Sequence, residues 1–293
     1  MDDRFKPVET SRSLIRNVFG IGLRLFAQIF LAWFLFIPFT IIFYVSPEIW
    51  GHNESLLALH EIATLMIITG SVYLVHKIAD EQELDSFGLK KDKWALTDFL
   101  VGFFVTFIVL GFSFLIYMWF GVIRITGFVW EQQSASYVFW YTVVTFLIFL
   151  FVGWSEELLS RGFHLQTIEK GTNRFWGVLI SSLIFSYLHR NNPDMDTPGL
   201  IFIFFAGLML AYAYLKTNQL WLSVGLHTGW DFFLVVVFFG IPIGRLRIFH
   251  LMEIDVYASS RLLVYGIQYL SLILCVLAIH IYSQRIRPKT QIK

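Results

Sequence analysis

Long apolar runs separated by short polar connections organise the whole chain. Eight runs can be drawn: Phe26–Val45, Ser55–Val75, Phe99–Phe120, Tyr137–Phe163, Phe175–His189, Gly199–Leu215, Leu220–Gly240 and Leu262–Tyr282. Most approach the roughly 20 residues that an α-helix needs to cross the hydrocarbon core of a bilayer. The fifth and sixth are the shortest. Helices are the expected form throughout, because an open strand in lipid leaves backbone N–H and C=O groups without partners. The expected fold is all-α, a polytopic membrane protein of about eight transmembrane helices. No internal repeat, low-complexity stretch or linker breaks the pattern, so residues 1–293 read as a single integral membrane domain. The polar, basic start runs into an apolar stretch without a small-residue cleavage site, and reads as an uncleaved first span.

Composition agrees with that pattern. The chain is 57% hydrophobic and 15% charged, whereas a soluble domain carries roughly 25% charged residues. Its 32 Phe and 10 Trp suit lipid-facing surfaces and interfacial belts. A net charge of +1 gives no reason to expect a nucleic-acid partner. The single cysteine, Cys275, rules out a disulfide framework and a thiolate metal cluster. With the N-terminus inside, the inner loops and tails hold 17 of the 22 Lys and Arg. That bias places both termini on the cytoplasmic side of the cell membrane.

Charged groups inside spans then define the candidate chemistry. Each costs on the order of 2.5–3.5 kcal/mol at the centre of a span, so each needs a reason. Within the runs the acids are Glu61, Glu156, Glu157 and Asp231, the histidines are His60, His164, His189 and His227, and Arg161 is the deep base. Apart from His60 and Glu61, all fall on the fourth, fifth and seventh runs. Glu157 and Arg161 stand four apart, share a helix face and can pair as ions. Glu156 is rotated about 100° away and has no cation at helical spacing, which leaves it free for proton work. Phe185 and His189 lie one turn apart. His227 and Asp231 also stand four apart, a spacing that suits a histidine held by a carboxylate or half of a metal site. Glu156 and His189 lie at nearly equal sequence distance either side of the polar turn Gly171, Thr172, Asn173. An antiparallel helical hairpin therefore brings them to one depth. For each group taken alone, an ordinary structural pairing is the competing explanation.

These residues resemble the CAAX protease and bacteriocin-processing family of intramembrane endopeptidases. The matching features are Glu156 and Glu157 with Arg161, then Phe185 with His189, then His227 with Asp231, in order and on separate runs. The resemblance implies an eight-helix membrane core and peptide-bond hydrolysis, with Glu156 and His189 activating water. It further implies that His227 and position 231 bind metal or stabilise the oxyanion. Members that act on prenylated proteins typically carry asparagine where this chain has Asp231, so peptidase chemistry is the broader expectation and a prenylated substrate the narrower one.

The resulting expectation is a metal-dependent intramembrane endopeptidase, with residues 137–240 as catalytic core. Its catalytic residues would be Glu156, Glu157, Arg161, His189, His227 and Asp231. A divalent ion, zinc by ligand softness, would be held by Glu156, His189, His227 and Asp231. A purely protonic Glu/His site is the alternative chemistry. The partners would be a peptide or membrane-protein substrate and the lipid bilayer. The rival readings are a non-catalytic interaction or bacteriocin-immunity protein, and a proton-coupled transporter. Absence of an inverted repeat weighs against the transporter.

Overall fold

The structure is a computed structural model and describes residues 11–44, 54–80, 84–192, 195–240, 249–257 and 260–287. The principal helices are α1 (Ser11–Tyr44), α2 (Glu54–Asp80), α3 (Ala95–Trp119), α4 (Ala135–Glu157), the short α5 (Gln166–Gly171), α6 (Arg174–Leu188), α7 (Thr197–Thr217), α8 (Trp221–Phe232) and α9 (Arg261–Ile281). Among the described residues, six helical stretches are long and apolar enough to cross a membrane: 17–38, 95–119, 135–171, 197–217, 221–239 and 261–286. The chain is a polytopic, essentially all-α membrane protein. The sixth run, short in sequence, extends into the 21-residue α7.

Local sequence explains where these helices start. Ser134, Asn173, Asp196 and Ser260 each accept a hydrogen bond from the backbone N–H three residues on, as N-caps of α4, α6, α7 and α9. Asn218 closes α7 in the left-handed conformation at φ 51°. On α1 the side chains of Phe19, Phe26, Phe30 and Trp33 are more than half exposed. In water such a surface would aggregate, whereas in a bilayer it faces lipid.

Two departures from uniform α-helix shape the molecule. α4 continues as a π-helix over Leu158–Leu165 before α5, and α8 continues as one over Phe233–Phe239. The second departure is a two-stranded antiparallel sheet in stretches the apolar pattern left as connections. β1 (Ile123–Phe128) pairs with β2 (Met252–Val256), with Ile123 opposite Val256 and Phe128 opposite Met252. Their backbone groups find each other, and Val122 and Ile123 bury against Phe114, Tyr117 and Ile267.

The centre of the bundle is the contact of α8 with α3 and α4. A Cβ on Gly225 or Gly229 would collide with the backbone of α3 at Phe99 or Phe103, and one on Gly153 would stand 2.6 Å from Thr228 Oγ1. Small residues one turn apart let helix backbones approach closely, which is how helices associate where lipid supplies no hydrophobic drive. This packing fixes α8, and with it His227 and Asp231.

Candidate active site

Glu156 and Glu157 end α4, and Arg161 follows in the π-helix. Glu157 and Arg161 are 0% and 1% exposed. Arg161 Nη1 donates to Glu157 Oε1 at 2.6 Å, and Nη2 donates to the Gly207 carbonyl of α7 at 2.9 Å. The guanidinium carbon also lies 4.4 Å from the centre of the Phe185 ring on α6. These contacts offset the removal of two charges from water, which costs several kcal/mol per ion, while Glu157 Oε2 is buried without a hydrogen-bond partner.

The imidazoles are held from behind. His189 caps α6, and its Nδ1 lies 2.8 Å from the Phe185 carbonyl oxygen. A carbonyl only accepts, so Nδ1 carries the proton and Nε2 is turned into the site. His227 Nδ1 lies 2.9 Å from Glu157 Oε1. Both Nε2 atoms then face one carboxylate oxygen: Glu156 Oε2 is 3.5 Å from that of His189 and 3.8 Å from that of His227. This oxygen is buried and has no hydrogen-bond partner. Asp231 Oδ2 stands 3.5 Å from His227 Nε2. Phe185, buried itself, forms the common wall, with its ring centre 4.6 Å from that of His189 and 5.8 Å from that of His227.

The structure therefore brings together all six residues singled out in the sequence, from four helical segments. One pairing gains a second partner. The helical spacing left Asp231 as a carboxylate holding His227 or as half of a metal site; Asp231 does meet the ring, at Nε2, while the hydrogen-bonding partner of Nδ1 is Glu157, from another helix. Asp231 faces the opposite nitrogen, because one helical turn carries its carboxylate along the same face as Nε2.

The donors offered to a divalent ion were Glu156, His189, His227 and Asp231. Their contacts run in a row, His189 to Glu156 to His227 to Asp231, with facing atoms 3.5–3.8 Å apart. Among the described residues no group of three or more His, Cys, Asp or Glu side chains is placed to hold a metal ion.

Residues 138–233 match the type II CAAX prenyl endopeptidase Rce1-like family. The match bears out the resemblance carried by the three motifs. It runs from α4 into the π-helix after α8, and contains all six residues brought together above. No curated protein matches the chain.

Outside the matched segment lies a second buried charge pair that the sequence pattern missed. Arg287 Nη2 is 2.9 Å from Asp98 Oδ2, with both side chains nearly inaccessible. Tyr282 donates to the other oxygen of Asp98 at 2.6 Å, and Arg287 Nη1 donates to the Thr217 carbonyl at 2.6 Å. Asp98 sits one residue before the third apolar run and Arg287 beyond the eighth, so neither counted as intramembrane. The π-helix holds a further buried histidine, His164, but none of the site contacts above involves it. His60 is half-buried on α2, and the side chain of Glu61 lies outside the described residues.

Proposed function

We propose that this protein is an intramembrane endopeptidase that hydrolyses a peptide bond through a water activated by Glu156 and His189. The observation that carries the reading is Glu156 Oε2, a buried, unpartnered carboxylate oxygen faced by two imidazole Nε2 atoms at 3.5 and 3.8 Å. Separations of this size suit a bridging water better than a direct bond. Residues 137–240 would form the catalytic core, with the termini on the cytoplasmic face of the cell membrane.

In this mechanism Glu156 takes a proton from the water as its oxygen attacks the peptide carbonyl carbon, and the carbonyl π electrons move onto oxygen. His189 Nε2 accepts the second hydrogen bond of the water and holds its lone pair toward the carbon. When the tetrahedral species collapses, the C–N bond breaks, and the proton held by Glu156 passes to the leaving amine. His227 Nε2 lies across from Glu156; in its protonated form, with Nδ1–H held by Glu157, it donates Nε2–H to the charge that develops on the carbonyl oxygen. No step is routed through a metal.

The substrate we propose is a lipid-modified C-terminal peptide, the class named in the description of the matching family. The test uses the full chain in nanodiscs with a fluorogenic peptide ending in a prenylated CAAX sequence, the same peptide unprenylated, and a Glu156→Gln variant. Cleavage of the prenylated peptide by the wild type, lost in Glu156→Gln at equal yield, is the expected result. Equal cleavage by Glu156→Gln would remove the mechanism. Cleavage of both peptides alike would keep it and reject the lipid-modified substrate. Treatment with a chelator is a parallel arm, and turnover should survive it. Loss on chelation with recovery on adding zinc would return the four donors to a metal.

A further inference from the structure

The Glu157–Arg161 pair has a second neighbour that a purely structural ion pair would not need. Glu157 Oε1 takes Arg161 Nη1 at 2.6 Å on one side and faces His227 Nδ1 at 2.9 Å on the other. An ionised carboxylate has no proton to donate, so the hydrogen in the second contact must sit on His227 Nδ1. Arg161 supplies the permanent positive charge beside Glu157 Oε1. Arg161 is itself fixed by the Gly207 carbonyl and by the Phe185 ring, so the carboxylate position is set from α7 and α6 as well as from α4.

We infer that Glu157 is a positioning residue that locks His227 in the Nδ1–H form, so that Nε2 is the only His227 nitrogen able to exchange a proton with substrate. Without that contact the ring could turn over or adopt the other tautomer, because its remaining polar neighbours, Glu156 and Asp231, both lie on the Nε2 side at 3.8 and 3.5 Å. The same arrangement accounts for three acids in one small volume. Glu156 faces the reacting atoms, Asp231 flanks Nε2, and Glu157 sits behind the ring where it never meets substrate. His189 reaches the same Nδ1–H form by a different device, the Phe185 carbonyl. Both rings therefore present Nε2 to Glu156, each held by an acceptor of its own.

This role rests on the hydrolytic reading only for its kinetic consequence, so the test has two arms. The first records the histidine side-chain ¹⁵N spectrum of histidine-labelled full chain in nanodiscs, with His227→Gln as the difference that assigns the ring. The wild type should show a protonated Nδ1 on His227, and Glu157→Gln should lose that single form while the His189 signal stays unchanged. The second arm measures turnover of the prenylated peptide. Glu157→Gln should lower kcat by about 10–100-fold with KM unchanged, the range typical for the partner of a functional histidine, and Glu157→Asp should recover part of it. If Glu157→Gln fails to fold with Arg161 left unpaired, the double variant Glu157→Gln/Arg161→Met removes the buried cation and carries the same two measurements. A wild-type His227 with a bare Nδ1, or an unchanged His227 signal in the variants, overturns the inference whether or not the peptide is cleaved. A wild type that cleaves nothing, yet shows the locked ring, leaves the positioning role standing and sinks the proposed reaction instead.

Discussion

Glu156 Oε2 and His189 Nε2 meet at 3.5 Å from the ends of two different helices. If they share one water, neither should work without the other. Glu156→Gln and His189→Gln should each lower kcat by about 10²–10⁴-fold, the usual contribution of a general base. The double variant should be no slower than the worse single one, because residues acting as a unit are not additive. Multiplying losses in the double variant would mean that the two act on separate steps.

Asp231→Asn separates the two parts assigned to acids near His227. Because Glu157 rather than Asp231 holds the ring, the amide should leave His227 in place. It would also add an N–H donor beside the developing oxyanion. Turnover should be preserved or raised. A loss as large as that of Glu157→Gln would restore Asp231 as the residue that orients the ring.

Gly225 and Gly229 set how closely α8 approaches α3. Gly225→Ala would drive a methyl into the Phe99 carbonyl, and overpacking of this kind costs about 1–3 kcal/mol. Gly266→Ala is the control, since a Cβ there meets nothing within 4 Å and alanine favours a helix by up to about 1 kcal/mol. Thermal unfolding in detergent should fall for the first variant and hold or rise for the second. Equal behaviour would contradict the close helix contact.

Asp98 and Arg287 should be far more expensive to separate than to remove together. Losing one partner of a buried pair costs about 3–5 kcal/mol, whereas replacing both can be neutral. Arg287→Met should therefore reduce folded yield more than the double variant Asp98→Asn/Arg287→Met. A double variant as poor as the single one would show that Tyr282 and Thr217, not the charge pair, carry the stability.

Orientation can be read with reporter fusions. Those after Val45 should report the outside, and those at Lys91 and the C-terminus the cytoplasm. A C-terminus on the outside would reverse the assignment from the basic residues.

The site was legible in the sequence because charge inside a span has a large cost, and Glu156, Glu157, Arg161, His189, His227 and Asp231 each stood out against an apolar background. Helical spacing correctly paired Glu157 with Arg161. It brought Asp231 to His227 but could not show that Glu157 also holds the ring, because spacing describes one helix at a time and Glu157 reaches His227 from another. Asp98 and Arg287 escaped for a different reason. They lie just past the edges of their apolar runs, where a charge is ordinarily solvated. The β1–β2 pair was hidden in short connections whose pairing is non-local, and nothing in LLSRGFHL distinguishes a π-helix from an α-helix.

The two buried ion pairs also differ in when they can form during biogenesis. Glu157 and Arg161 lie on one continuous helical segment, so that span can enter the bilayer already carrying its own counter-ion. Asp98 enters with the third long helix and must wait for the residue after the last one. Until α9 is inserted, an unpaired acid sits at the base of the bundle. Completion of the chain, rather than docking of the catalytic helices, then becomes the event that commits the protein to its folded state. A copy truncated before Arg287 would retain every residue of the candidate site, yet leave quality-control proteases an assembly with one charge unanswered.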